Sequence, residues 1–186
     1  MRTALLLIDI QNDYFPGGRM ELEGSIQASS AAARLLAAFR KQSWPVIHIQ
    51  HISAQPSATF FLPDTPGAEI HQAVKPLPTE LVITKHFPSC FRDTDLLERL
   101  KAENIGSLLI CGMMSQMCVD TTVRAAFDLG FTCIVTHDAC AASELAFNGI
   151  TVPAAQVHAA YMSALGAVFA QVKSVDEIMA NIFATE

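Results

Sequence analysis

The stretch Ser107–Asp128, SLLICGMMSQMCVDTTVRAAFD, constrains the fold more than any other part of the chain. Ser107 to Cys111 is a short apolar run stopped by Gly112, the pattern of a strand covered on both faces. Val119, Val123, Ala126 and Phe127 then recur at helical spacing. Cys118 therefore falls near the first turn of a helix, just past the carboxyl end of a strand. In open α/β sheets that edge is where ligands bind. Unpaired backbone N–H groups and the helix dipole favour a thiolate there.

The remaining segments repeat this alternation. Thr3–Ile8 is a near-continuous apolar run, ending in Asp9, Gln11, Asn12 and Asp13. A Pro16-Gly17-Gly18 turn leads to a helix over Ser25–Gln42, with Ile26, Ala33, Leu36 and Phe39 on its inner face. Pro45–His51 and Leu81–Thr84 are the second and third strands. Between them, the proline-rich stretch Ser53–Pro78 reads as a lid or binding loop. Thr94, a capping residue, opens a helix reaching Asn104. Phe131–Thr136 is a fifth strand, ending in a turn at His137-Asp138. Thr151–Ala167 is a helix, Val168–Val172 a sixth strand and Asp176–Ile182 a last helix. The alternation predicts a three-layer α/β fold: a six-stranded, mostly parallel sheet with helices on both faces, as one domain over residues 1–186.

Composition narrows the partners. Of 186 residues, 51% are hydrophobic and 16% charged, with net charge −6 and no Lys/Arg cluster. Nucleic acid and anionic membrane surfaces are not expected partners. The low charge fraction favours a homo-oligomer. Cys90, Cys111, Cys118, Cys133 and Cys140 are an odd number of thiols, without metal-ligand spacing and without a secretion signal. A cytoplasmic protein with free thiols is expected.

Three reactive side chains follow predicted strands: Asp9 after the first, Lys85 after the third and Cys118 after the fourth. In a parallel sheet those ends share one edge. An aspartate can take a thiol proton and return it to a leaving group, and an ammonium orients the carboxylate and favours the thiolate. Backbone N–H groups around Met114 and Cys118 are placed to hold an oxyanion. The chemistry suited is attack on a carbonyl carbon through a thioester. By position alone, Cys118 reads equally as a buried apolar thiol, Asp9 as a turn residue and Lys85 as a solvated lysine.

DIQNDYF after the first strand, TKHFPSCFRDTDL in mid-chain and CGMMSQMCVDTTVRAAFDLG resemble the isochorismatase-like cysteine hydrolases, which include nicotinamidases and N-carbamoylsarcosine amidases. HDACAAS and VPAAQVHAAYMSALGAVFAQV extend the likeness over nearly the whole chain. The resemblance implies a six-stranded parallel sheet and a triad of Asp9, Lys85 and Cys118. It further implies a non-proline cis peptide at Met113-Met114, an oxyanion hole from the Met114 and Cys118 N–H groups, and a homodimer or homotetramer. Gln11 matches the glutamine of the first motif, as a group that supports the triad or positions water. Phe15, His51, Phe91 and Met113 are candidates for lining the pocket or supporting the triad.

Two departures from the family narrow the reading. Nicotinamidases carry an Asp-x-His metal motif after the second strand, where this chain has HIQHIS. His48, His51 and His71 do not make a ligand set, so neither a metal nor a cofactor is expected. Isochorismatases proper lack the cysteine that Cys118 supplies. An amidase-like hydrolase acting on a C–N bond of a small molecule remains. The alternatives are an idle binding protein of the same fold, or a thiol redox sensor with Cys90 or Cys111 resolving Cys118.

Overall fold

In the computed structural model, which describes residues 2–183 with side chains to 180, the apolar runs pair as parallel strands. They are β1 (Arg2–Ile8), β2 (Val46–His51), β3 (Leu81–Lys85), β4 (Ile105–Met113), β5 (Thr132–Ala141) and the short Gln171–Lys173. Two further strands, β6 (Leu145–Phe147) and β7 (Ile150–Val152), form a separate antiparallel hairpin, so Gln171–Lys173 is β8. The sheet order is β3-β2-β1-β4-β5-β8, parallel at every pairing. The helices are α1 (Ser25–Lys41), α2 (Leu96–Ala102), α3 (Asp120–Asp128), α4 (Ala154–Val168) and α5 (Val175–Phe183). α1 packs on α5 and β5, whereas α3 packs on α4, giving a layer on each side of the sheet. The predicted three-layer architecture is the one observed; residues 1 and 184–186 of the predicted domain span lie outside the described residues.

Strand order reverses between β1 and β4, because β2 and β3 extend the sheet one way and β5 and β8 the other. A crevice opens at the carboxyl ends of strands flanking such a reversal. β1 lies at the centre, which explains its unbroken run: Ala4 to Ile8 are all buried. Gly112 seals the β1–β4 seam. It pairs with Ile8 at φ +131°, and a Cβ there would collide with the Ile8 backbone oxygen. The close approach and the positive φ both select glycine.

Several boundaries differ from the sequence reading. α4 runs on to Val168, with the Phe169 and Ala170 N–H groups closing on the Leu165 carbonyl, so the last strand begins only at Gln171. The run VFAQV fits both periodicities, and the helix takes its first residue. α4 starts after Pro153, whose fixed φ suits a helix entrance; the residues before it form the unforeseen hairpin. His137-Asp138 is no turn but part of β5, and the Asp138 carboxylate accepts the Val175 N–H at the start of α5. Ile26 is exposed, as α1 turns Ala28, Ala32, Leu35, Leu36 and Phe39 inward instead. The helix predicted to open on Cys118 is preceded by a π turn over Ser115–Val119.

Gly112→Ala is expected to lower the free energy of unfolding by at least about 3 kcal/mol, combining a backbone clash with a strained φ. Urea denaturation of the variant measures this, and a loss below about 1 kcal/mol would mean that the seam relaxes freely.

Candidate active site

Asp9, Lys85 and Cys118 meet at the carboxyl edge, beside the strand-order reversal. Asp9 directly follows β1. Its φ of 50° ends the strand, and its N–H donates to the Ile49 carbonyl. Aspartate tolerates this left-handed conformation better than most residues. Lys85 is the last residue of β3 and is fully buried. Its Nζ lies 2.7 Å from Asp9 Oδ2 and donates to Cys118 Sγ at 3.2 Å, to the Phe87 carbonyl at 3.1 Å and to His51 Nδ1 at 3.0 Å. An ammonium has three N–H donors for these four neighbours. Asp9 Oδ1 is buried and makes no hydrogen bond among the described residues.

Burial works against the Lys85 charge, but Asp9 and then Cys118 outweigh it and hold the ammonium well protonated. Burial and then Asp9 push the Cys118 thiol well up, and Lys85 offsets them only in part. This corrects the expectation of a depressed thiol. Cys118 thus rests as a neutral thiol, with the Lys85 ammonium 3.2 Å from its Sγ and one oxygen of Asp9 within 4.8 Å.

The turn carrying Cys118 has an irregular bonding pattern. The Met117 and Val119 N–H groups both donate to the Met114 carbonyl, and the intervening Cys118 N–H does not. Such π turns occur often at functional sites. The Met113-Met114 peptide is cis. Met113 and Met114 are buried, with Met113 closing β4. Ser115 is buried as well, its hydroxyl meeting the Ala141 carbonyl and His158 Nδ1.

Gln11 is a brace and not a group facing the thiol. Its amide donates to the His51 and Ala68 carbonyls and accepts the His51 N–H at 2.7 Å. That fixes the end of β2, and so the imidazole against Lys85. Buried Asp13 accepts the Phe61 N–H at 2.6 Å and the Arg19 N–H at 3.2 Å. Asn12 and Ile10 make backbone bonds to Glu69 and His71. The predicted lid between β2 and β3 is thus stitched to the loop after β1 along residues 61–71.

Other candidates fall elsewhere. Phe15 stacks on His71, with ring centroids 3.6 Å apart. Phe91 stacks on Phe131, which precedes β5. The Cys90 N–H donates to Thr122 in α3. Cys90 itself is sealed, its thiol pushed up to about 12, mainly by burial. All five thiols are free and buried, which disfavours a redox relay. His48 bonds to Glu80, so the three histidines do not converge. His51 instead joins Asp9 and Cys118, with one ligand atom of each within 4.8 Å of the others. Carboxylate, imidazole and thiolate are zinc-type donors, but the Lys85 ammonium already stands among them, within 3.2 Å of one atom of each.

Known proteins share this arrangement of strands and motifs. A model of the isochorismatase domain matches residues 3–177. The chain belongs to the isochorismatase family. The family member YddQ of Bacillus subtilis, itself uncharacterized, is 49% identical over 96% of this chain and 99% of its own. Streptothricin hydrolase of Streptomyces noursei is 37% identical over 88% of this chain and 59% of its own. The crystal structure of an isochorismatase-type hydrolase from Oleispira antarctica superposes with a TM-score of 0.91 at 51% identity, covering 96% of each chain. This family member is accordingly a hydrolase. No helix among its described residues is long and apolar enough to cross a membrane.

The sequence reading passed over Tyr14, which is buried, its phenol held protonated by burial above all. The signal was its place in DIQNDYF, three residues past a side chain already marked as the family glutamine.

His51 also gives a pH prediction. Burial, then Lys85, lowers its pKa to about 4, with Asp9 pulling weakly the other way. A histidine lowered in the folded state is neutral there while the unfolded chain binds a proton. It therefore adds no penalty above the usual histidine pKa of about 6.5, and destabilises as pH falls from there toward 4. After allowance for its partial exposure the loss is on the order of 2 kcal/mol. Urea midpoints between pH 7 and 4 should fall less steeply for His51→Asn than for the wild type; equal slopes would contradict the assignment.

Proposed function

We propose that this protein is a cysteine hydrolase that cleaves the C–N bond of a small amide or carbamoyl compound through a thioester on Cys118. The observation that carries the reading is the buried contact of Asp9, Lys85 and Cys118 at the strand-order reversal. Asp9 takes the thiol proton as Sγ bonds to the carbonyl carbon. The carbonyl π pair moves to oxygen, where the Met114 and Cys118 N–H groups receive it. Collapse expels the amine, which leaves with the proton held by Asp9. Water then adds to the thioester with Asp9 again as base, releasing the acid and restoring the thiol. Lys85 keeps its charge throughout. It holds the carboxylate in line and stabilises the thiolate as it forms.

Exposed Phe147 and Ile150 on the hairpin support a homo-oligomer. A monomer in sedimentation equilibrium would remove that support.

Ammonia or amine release over a panel of amides and carbamoyl compounds tests the chemistry. Cys118→Ala should lower turnover at least about 10³-fold, and Asp9→Asn about 10²–10⁴-fold, each with an unchanged far-ultraviolet circular dichroism spectrum. Normal hydrolysis by Cys118→Ala would refute the mechanism.

A further inference from the structure

One buried oxygen joins the turn that carries Cys118 to two other elements. Ser115 directly follows Met114 and is fully buried. Its Oγ lies 3.2 Å from the Ala141 carbonyl at the end of β5 and 2.9 Å from His158 Nδ1, one turn into α4. A serine hydroxyl has one proton to give and two lone pairs to receive with, and a carbonyl oxygen can only accept. All three groups are satisfied in one arrangement: Ser115 donates to Ala141, and His158 donates from Nδ1 to Ser115. Burial, then His137, lowers the His158 pKa, so the ring is neutral near pH 7 and Nδ1 carries its one proton. Gln116, the next residue of the turn, is tied to the segment after β5 as well, its amide donating to Ser143 Oγ at 2.8 Å.

The attachment point gives the His158–Ser115 link its role. Ser115 shares a peptide bond with Met114 and stands three residues before Cys118, the two residues whose N–H groups serve as the oxyanion hole in the mechanism above. The turn itself has an irregular bonding pattern, whereas α4 is a regular helix of 15 residues packed against it. We propose that His158 is a positioning residue for the hydrolysis: through Ser115 it fixes the turn at the setting in which the Met114 and Cys118 N–H groups converge on the carbonyl oxygen of the substrate. The inference rests on the cysteine-hydrolase reading of the same site and extends its machinery to α4. Donors aimed in advance act on the charge that develops at oxygen during attack, so loosening them lowers kcat more than it raises KM.

Steady-state kinetics on the best amide of the panel tests this, with urea midpoints as the control for folding. His158→Ala should lower kcat about 10–100-fold and change KM less than about three-fold. His158→Asn puts its amide nitrogen where Nδ1 stands and should recover most of the loss. His158→Gln, whose nitrogen falls at the far ring position, should not. Ser115→Ala cuts the link from the other end by deleting one oxygen, so the test survives a poorly folding His158→Ala. It should cost as much, and adding His158→Ala to it should cost little more, because the two residues act in series. A second readout needs no turnover. Acetaldehyde labelled at its carbonyl carbon adds to Cys118: the Sγ–C bond forms, the S–H bond breaks and the proton passes to the oxygen. NMR of the labelled carbon measures this hemithioacetal, which His158→Ala and Ser115→Ala should each weaken about ten-fold and His158→Asn should restore. Unchanged turnover and adduct in His158→Ala, a loss that adds in full to that of Ser115→Ala, rescue by His158→Gln and not by His158→Asn, or no adduct in the wild type overturns the inference. An adduct that depends on His158 in a protein that hydrolyses no amide leaves the link standing and sinks the hydrolase reading; amide turnover that needs Cys118 and ignores His158 does the reverse.

Discussion

The buried ion pair between Lys85 and Asp9 is the interaction on which the site depends. Removing a carboxylate and an ammonium from water is costly, and their mutual attraction often does no more than offset that cost. Such a pair is therefore a poor explanation of stability. Its value here lies in position. Lys85 ends β3 and Asp9 follows β1, so the two charges bridge across β2, whose last residue, His51, accepts a further lysine N–H. The ammonium is thereby held against Cys118 Sγ, whose thiol burial pushes well up. In the mechanism proposed above, a charged pair stands ready beside a neutral nucleophile, and negative charge passes to sulfur only when a carbonyl carbon is there to receive it.

Around this centre the backbone is braced by polar side chains. Gln11 joins the loop after β1 to the end of β2 and to the Ala68 carbonyl, and Asp13 holds the Phe61 N–H. These bonds settle the position of His51 and of Phe61 before any ligand arrives. Catalysis by positioning needs that order: reacting groups held to within fractions of an ångström avoid reorganisation during the reaction. The segment between β2 and β3 is better understood as a fixed wall than as a moving lid.

The central parts of this fold were legible because their physical causes are local. A strand buried on both faces must be apolar throughout, and β1 and β4 are. The strand-turn-helix around Cys118 showed its edge of the sheet for the same reason. Asp9 stood out as a charge ending an apolar run. Lys85 had no such mark: composition and periodicity describe it as a surface lysine, and only the family motif raised it. The last residue of α4, Val168, was hidden because an apolar run satisfies both periods, and the hairpin before Pro153 because two three-residue strands are too short for any period to emerge. Tyr14 was missed for a different reason. A phenol in an irregular loop has no pattern, and its burial comes wholly from what neighbouring elements bring to it.

The seam between β1 and β4 has a consequence for how the chain acquires activity. Cys118 and Asp9 are separated by more than half of the sequence, yet they touch only when these two strands lie side by side, with Gly112 against Ile8. Contacts between segments so distant along the chain are costly in loop entropy and form late. During synthesis β1 emerges early and must wait, its apolar run unpaired on one side, until β4 follows. A partly folded chain with β1–β3 in place would hold Asp9 and Lys85 but not Cys118. The three side chains thus come together only once the β1–β4 seam has formed.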